Sequence, residues 1–482
     1  MHFYRLDRNV QSIAYRRDIP VPFCFSFSYI SIWNFYNSSV DVKDKRRGDA
    51  VMAEDKVKIV LIGAGSASFG RGTIADIMSC EDLKNHDCTV VLVDIDEKAL
   101  NQTAGLAELI RDHYKSPVKV EKTVDRAEAL PDADYVIISV TQKRYELWEQ
   151  DFRVPLAYGF RHVLGENGGP GALFHALRNY GIVLPICHDI ERLCPDALVL
   201  NFTNPESRIL MAMTHLTKIK AVGLCHGVLE ARRRAAQLLE KDLNHLDIVT
   251  GGLNHFFWLL KVEDARTGED LYPLLRQRVQ ESCPPLVQKM VEVFDYFTYP
   301  SDDHIGEYLS FAHEFAGLLW HYGRETRKVA RSESPPADWR DEYLSGRRAV
   351  DNNLVRPGGE IAVDIIADII EDKNKWEPSV NVLNTNRYVE NLSTDAVVEV
   401  PAIVNATGVH PEQVGPLPEA LAAFCRTQVS IQLLLIEAYR QSSKKLLLQA
   451  LLLDPVVDSA KRAEEMLDHM LELQKDYLPS FS

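Results

Sequence analysis

Apolar residues follow two alternating rhythms over the first half of this chain. Short apolar runs at residues 56–62, 89–94, 134–140, 197–202 and 219–224 read as buried strands, with a shorter one at 118–123. Between them, residues 73–78, 98–114, 172–193 and 229–239 carry apolar positions at helical spacing. Strands alternating with helices predict α/β architecture. The expected fold is a Rossmann-like, doubly wound parallel sheet of the lactate and malate dehydrogenase kind. After about residue 245 the rhythm changes. Residues 246–250, 256–262 and 395–400 read as sheet, while 286–297, 307–317, 361–371, 419–441 and 460–476 read as helix. This half is expected to be α+β. Residues 324–356 are charged and contain proline, so they read as an exposed loop or mobile lid.

A chain of 482 residues is long for one core, so closely packed domains are expected. The predicted division is a dinucleotide-binding domain over 52–245 and an α+β domain for substrate and oligomer contacts over 246–482. Residues 1–51 read as an extension: 20–40 are rich in aromatics and serine between basic flanks. No small-x-small cleavage site follows them, and Met52 stands just before the first strand. The expectation is that translation starts near Met52, or that the extension is disordered.

Composition narrows the partners. The chain is 46% hydrophobic and 26% charged, ordinary for a soluble protein. With 54 basic and 69 acidic residues its net charge is −15, which argues against nucleic acid or an anionic membrane as partner. A small substrate needs only local complementarity. Eight scattered cysteines without a C-x-x-C pair suggest reduced thiols and a cytoplasmic location. No uncharged apolar run approaches the ~20 residues of a membrane span.

Candidate chemistry sits where the strands end. Gly63-Ala64-Gly65-Ser66 follows the first strand, where glycine lets backbone N–H groups approach a pyrophosphate at a helix N-terminus. Gly63, Gly65 and Ser66 are therefore cofactor candidates. Asp94, at the end of the second strand, is placed to accept from a ribose diol and to repel a 2′-phosphate, favouring NAD over NADP. The spacing departs from G-x-G-x-x-G, since Ser68 takes the third position. Glu166 and Asn167 lie in a segment with four glycines, Gly165, Gly168, Gly169 and Gly171, suited to close ligand approach or to plain flexibility. Asn204-Pro205 reads either as an amide at the carboxyl end of the sheet or as a helix cap followed by an N1 proline. Cys225 and His255, each beside a strand end, make a mixed S/N metal site with open positions; singly, each reads more simply as a buried or structural residue. Asp302, Asp303, His304 and Tyr308 read as a general-base cluster or as a capped helix start.

Taken together, these segments resemble glycoside hydrolase family 4, NAD- and metal-dependent glycosidases that are an exception to the two-carboxylate mechanism. The resemblance covers residues 56–480. It is carried by Gly63-Ala64-Gly65-Ser66, the glycine-rich segment with Ala176-Leu177-Arg178, and Asn201 to Pro205. Cys225-His226-Gly227-Val228, Gly252 to Trp258, Val397 to Pro401 and Leu451 to Pro455 add to it. It implies Mn²⁺ on Cys225 and His255, with Asn204 orienting the sugar. Cys225 followed by His226 implies an unphosphorylated α-glucoside, α-galactoside or α-uronide as substrate. The implied reaction is C3 oxidation by NAD, C2 deprotonation, elimination, water addition and re-reduction. Asp302 is the favoured base, with Asp303 and Tyr308 as alternatives, and His226 is the acid. The resemblance further implies a homodimer or homotetramer. Two other readings share the cofactor fold: a dehydrogenase of a hydroxy acid or sugar, and a non-catalytic NAD sensor.

Overall fold

The computed structural model describes residues 56–66, 69–316 and 338–481. The expectations for residues 1–51, and for the charged segment before residue 338, lie outside the described residues. Six short strands form the first part of the sheet: β1 (Lys56–Ile62), β2 (Asp87–Val93), β3 (Lys119–Thr123), β4 (Tyr135–Ile138), β5 (Leu198–Asn201) and β6 (Lys220–Gly223). All are parallel, in the order β3-β2-β1-β4-β5-β6. Ile59, Val60 and Leu61 are fully buried, as is all of β4, because helices cover both faces. The order reverses between β1 and β4, so the strands' carboxyl ends open onto a crevice there. The Rossmann-like reading therefore holds.

The sheet continues with antiparallel strands: β7 (Leu246–Leu253), β8 (Phe256–Asp264), β9 (Lys375–Leu383), β10 (Val397–Asn405) and β11 (Gly408–Pro411). Beyond β6 the order is β9-β10-β7-β8, and β11 pairs with β10, giving eleven strands in one sheet. The late strands β9 and β10 thus lie between β6 and β7. Strand β9 was not anticipated; Glu377 and Pro378 interrupt its apolar pattern. Strand β10 runs beyond its expected end at residue 400. Pro401 is tolerated because the register with β9 shifts between Val400 and Ala402.

Two expectations need correction. The helix expected over 307–317 is replaced by turns at 307–312 between short helices Asp302–Gly306 and His313–Ala316. Tertiary contacts override its periodicity: the Glu307 carboxylate accepts the N–H groups of Asn167 and Gly168, and Tyr308 Oη donates to Asn254 O. Residues 338–356 are not a free loop either. Their helices Trp339–Leu344 and Asn352–Val355 lie against the helix Glu97–Tyr114. Gln102 Nε2 donates to Asp338 (2.9 Å) and Asp341 (2.8 Å), and Tyr114 Oη to Val355 O (2.9 Å).

The helix Glu419–Gln441 is long and apolar enough to cross a membrane by length and composition alone. Leu421, Cys425 and Leu435 on it are fully buried, and Tyr439 meets Tyr180 edge-on at 5.5 Å. It packs against the helices Gly169–Leu193 and Glu206–Leu216, as a core helix does.

One buried carboxyl gives the fold a pH signature. Asp76, on the helix Phe69–Ser79, accepts the N–H of Gly359 at 3.1 Å, and burial pushes it up to about 6. Between the unfolded value near 4 and this folded value, the native state keeps a proton that the unfolded chain releases. Stability therefore falls as pH rises through that window. Asp76→Asn keeps an acceptor for Gly359 and should stabilise the protein at neutral pH by about 1–2 kcal/mol, allowing for residual solvent. Urea unfolding at neutral pH and below about pH 4 tests this; an equal gain at both would contradict it.

Candidate active site

The nucleotide turn forms at the end of β1. The N–H groups of Gly63 and Ala64 both donate to Val93 O, at 2.9 and 3.1 Å, locking the turn to β2. Gly63 has φ +90°, and a Cβ there would lie 2.0 Å from Ser139 O, so no side chain fits. Gly65 N–H donates to Asp94 Oδ2 at 2.7 Å, and Asp94 Oδ1 accepts Asp96 N–H at 2.9 Å. Asp94 thus sits where a ribose acceptor is expected and also braces the turn. Ser66 N–H closes the turn onto Gly63 O at 3.2 Å. Arg340, which sequence reasoning missed, donates to Gly65 O at 2.9 Å and stays buried beside Gln102. No local motif marks it, since it arrives from 275 residues away.

The donor pair forms from strands distant in sequence. Leu224 N–H continues the ladder to Asn201 O (2.9 Å), and Cys225 follows at the end of β6. Asn254 and His255 make the two-residue turn between β7 and β8. His255 adopts φ +60°, a left-handed conformation uncommon outside glycine. Its Nε2 lies 3.2 Å from Cys225 Sγ, and Gly227 N–H points at the same sulfur (3.4 Å). His255 Nδ1 is buried without a partner. Burial pushes the His255 imidazole well down and the Cys225 thiol up, with Glu399 adding to the latter. A neutral imidazole suits metal ligation, and a divalent cation beside the sulfur would reverse the thiol shift. No group of three or more His, Cys, Asp or Glu able to hold a metal occurs among the described residues. The pair therefore fits a metal whose remaining positions go to substrate or water.

Beneath the pair lie two carboxyls unforeseen from sequence. β9 and β10 separate β6 from β7, with Asn381 opposite Gly223 and Glu399 opposite Gly252. Glu399 is fully buried, accepts from Ser379 Oγ (2.6 Å) and is pushed up to about 8 by burial. Glu206 is likewise buried and pushed well up, by desolvation and then by Glu399. A Cβ at Gly223 would fall 1.5 Å from Glu206 Oε1, so glycine there admits the carboxyl onto the β6 backbone.

The other expected residues divide. His226 is exposed, with Nδ1 3.7 Å from Glu360 Oε1; that carboxylate holds the imidazole above its ordinary value. Asn204 is half-buried at the end of β5, and its carbonyl accepts from Asn179 Nδ2 (2.5 Å). Pro205 precedes the helix Glu206–Leu216 in extended conformation, not as its first residue. Glu166 and Asn167 are buried rather than flexible. Glu166 takes Arg144 Nη2 at 2.8 Å, while both polar atoms of the Asn167 side chain lack partners. Arg178 in the following helix pairs twice with buried Asp151, at 2.9 and 2.5 Å, and binds Gln474 (2.7 Å).

The base candidates separate most sharply. Asp302 Oδ1 accepts the N–H groups of Leu286 (3.0 Å) and Val287 (3.1 Å), capping the helix Pro285–Phe294. Tyr308 is buried, stacked on Phe256 (4.6 Å), with its hydroxyl used on Asn254 O. Asp303 Oδ1 accepts the His304 main-chain N–H (2.8 Å) and lies 2.8 Å from His304 Nδ1, which has no hydrogen-bond partner. The His304 ring is 4.7 Å from that of His255 and stacks on Tyr299 at 4.4 Å. Tyr299 also faces His255 at 5.4 Å and donates to Glu230 at 3.2 Å. Its place was not read from sequence, although the aromatic run before Pro300 was a usable signal.

A dinucleotide-type sheet with a Cys–His donor pair beside its carboxyl ends defines an NAD-fold enzyme carrying a metal-type centre. The family 4 glycosyl hydrolase model matches residues 58–241, and its C-terminal domain matches residues 250–457. The chain belongs to glycosyl hydrolase family 4. An alpha-glucosidase of Erwinia rhapontici is 32% identical, covering 87% of this chain and 98% of its own. An alpha-galactosidase of Bacillus subtilis is 31% identical, covering 88% and 99%. The fold is similar to that of a 6-phospho-alpha-glucosidase from gut microorganisms, solved with NAD and Mn²⁺. Its TM-score is 0.76 at 23% identity, over 89% of this chain and 100% of that one.

If Asp302 acts as a cap, Asp302→Ala should cost about 1 kcal/mol in urea unfolding. Asp302→Asn, which keeps the acceptor, should retain both stability and most of kcat. Loss of turnover in a fully stable Asp302→Asn protein would instead identify it as the base.

Proposed function

We propose that this enzyme hydrolyses unphosphorylated α-glycosides, namely α-glucosides, α-galactosides or α-uronides, using NAD and a divalent metal such as Mn²⁺. The observation that carries the proposal is the 3.2 Å approach of Cys225 and His255 next to the end of β6. His226 directly follows the cysteine, and relatives at 31–32% identity bear α-glycosidase names. When bound, NAD supplies reversible hydride transfer at the sugar's C3, and the metal supplies Lewis acidity to neighbouring sugar oxygens.

The chain's own residues then have distinct tasks. Gly63, Gly65 and Ser66 present the turn to a pyrophosphate, and Asp94 accepts from the ribose. Cys225 and His255 hold the metal, and Asn204 orients the sugar. The C2 proton leaves to Asp303, which lies beside His304, or to Tyr299 once its phenol has passed its own proton to Glu230, the carboxylate it already meets at 3.2 Å. Asp302 is a further candidate, with its Oδ1 also capping a helix. His226 delivers a proton to the departing oxygen, and Glu360 favours its protonated form. The enzyme is proposed to be cytoplasmic and to assemble as a homodimer or homotetramer. Leu452, Leu453 and Leu473, exposed on the C-terminal helices, offer apolar surface for such contacts.

Hydrolysis in D₂O should place deuterium at C2 of the released sugar with no net NADH. A product without C2 deuterium refutes the elimination route. Asp303→Asn and Tyr299→Phe, compared for C2 exchange, assign the base as the variant that loses it. Cys225→Ser should abolish turnover and weaken Mn²⁺ while NAD binding persists; full turnover in that variant would remove the basis of the proposal.

A further inference from the structure

Arg208 is the third residue of the helix Glu206–Leu216 and is 1% exposed. Its Nε, Nη1 and Nη2 all lack hydrogen-bond partners, and it makes no ion pair among the described residues. A guanidinium remains charged at ordinary pH and is costly to bury alone. No nearby carboxylate makes a hydrogen bond to it. Asp454 is near enough to feel the Arg208 charge but uses its Oδ1 on Val456 N–H (3.1 Å). Glu307 Oε2 is spent on the N–H groups of Asn167 and Gly168, and its Oε1 is buried without a partner, with burial pushing the carboxyl well up and so favouring its neutral form.

Arg208 lines a cavity of about 10 Å³ with Asn167, Ser207, Asn254, Tyr308 and Gln432. The wall has unpaired donors as well as unpaired acceptors, Gln432 Oε1 among the latter. The Asn167 side-chain amide is buried and unpartnered, and Asn254 Nδ2 has no well-aligned bond. Ser207 and Tyr308 both engage the Asn254 main chain, at 3.2 and 3.3 Å. The cavity lies at the N-terminal turn of the helix, which adds positive potential. Its volume holds one water-sized particle. Water fits, but brings no charge to offset Arg208.

We infer that this cavity binds one monatomic anion, chloride in physiological media, held by Arg208 and the Asn167 amide. The anion would sit behind Asn254, the residue before the metal-ligand candidate His255, and so brace the β7–β8 turn. Nothing in this inference depends on the sugar cleaved.

Bromide is the probe. A crystal of the full chain grown in sodium bromide should show an anomalous peak within hydrogen-bond reach of the Arg208 nitrogens. In solution, chloride or bromide should raise Tm by about 2–4 °C over sodium methanesulfonate of equal ionic strength, with saturation. Arg208→Met should abolish that difference. Water without anomalous signal at Arg208 overturns the inference, and so does equal Tm in all three salts. If the variant does not fold, the wild-type bromide map decides.

Discussion

The site depends on one topological constraint: two strands from late in the chain are inserted between β6 and β7. Asn381 of β9 pairs opposite Gly223, and Glu399 of β10 opposite Gly252. These contacts set the spacing between the end of β6, which carries Cys225, and the β7–β8 turn, which carries His255. Strand spacing is nearly invariant, since neighbours in a sheet lie about 4.8 Å apart. Cys225, two residues past β6, and His255, in the β7–β8 turn, reach across the ends of the two inserted strands to within 3.2 Å of each other. The left-handed backbone of His255 is held because the turn has only two residues and its neighbours are buried on both sides.

That same insertion buries polar groups where a parallel sheet alone would bury hydrocarbon. Glu399, Glu206, Asn381 and Ser379 form a wet-chemistry floor without water access. Carboxyls there favour the protonated form, because desolvation outweighs the Ser379 hydrogen bond to Glu399 and leaves both Glu206 oxygens without partners. They thereby avoid placing anionic charge directly under a thiol that a metal would need as thiolate. The nucleotide side shows the opposite economy. Asp94 is exposed enough to remain a good acceptor, and its two oxygens are aligned by backbone N–H groups.

Much of this was legible before any coordinates. The parallel half announced itself through apolar runs alternating with helical spacing, a pattern local enough to read residue by residue. Gly63, Gly65 and Asp94 were readable because one βαβ unit contains them all. Cys225 and His255 were readable as candidates, since each borders a strand. The misses share a cause. Strand β9 contains polar residues because its face meets Glu399 and the site, not only the core. The helix expected at 307–317 gave way to contacts made by Glu307 and Tyr308 with distant backbone. Asp302 has the right chemistry for a base, and what no local pattern shows is that its Oδ1 also caps a helix that begins 17 residues earlier in the chain.

By itself, then, the amino-acid order determined the architecture of the nucleotide half, the residues able to ligate a metal and the family to which they belong. These follow from periodicity and short-range motifs, which are properties of neighbouring residues. Tertiary structure alone decided that Asp302 caps a helix, and brought Tyr299 beside His255. It also laid Arg340 on the nucleotide turn and buried Arg208 beside a small polar cavity. Those outcomes rest on contacts across tens to hundreds of residues, where the direction of a side chain depends on strand order and packing that no local pattern encodes.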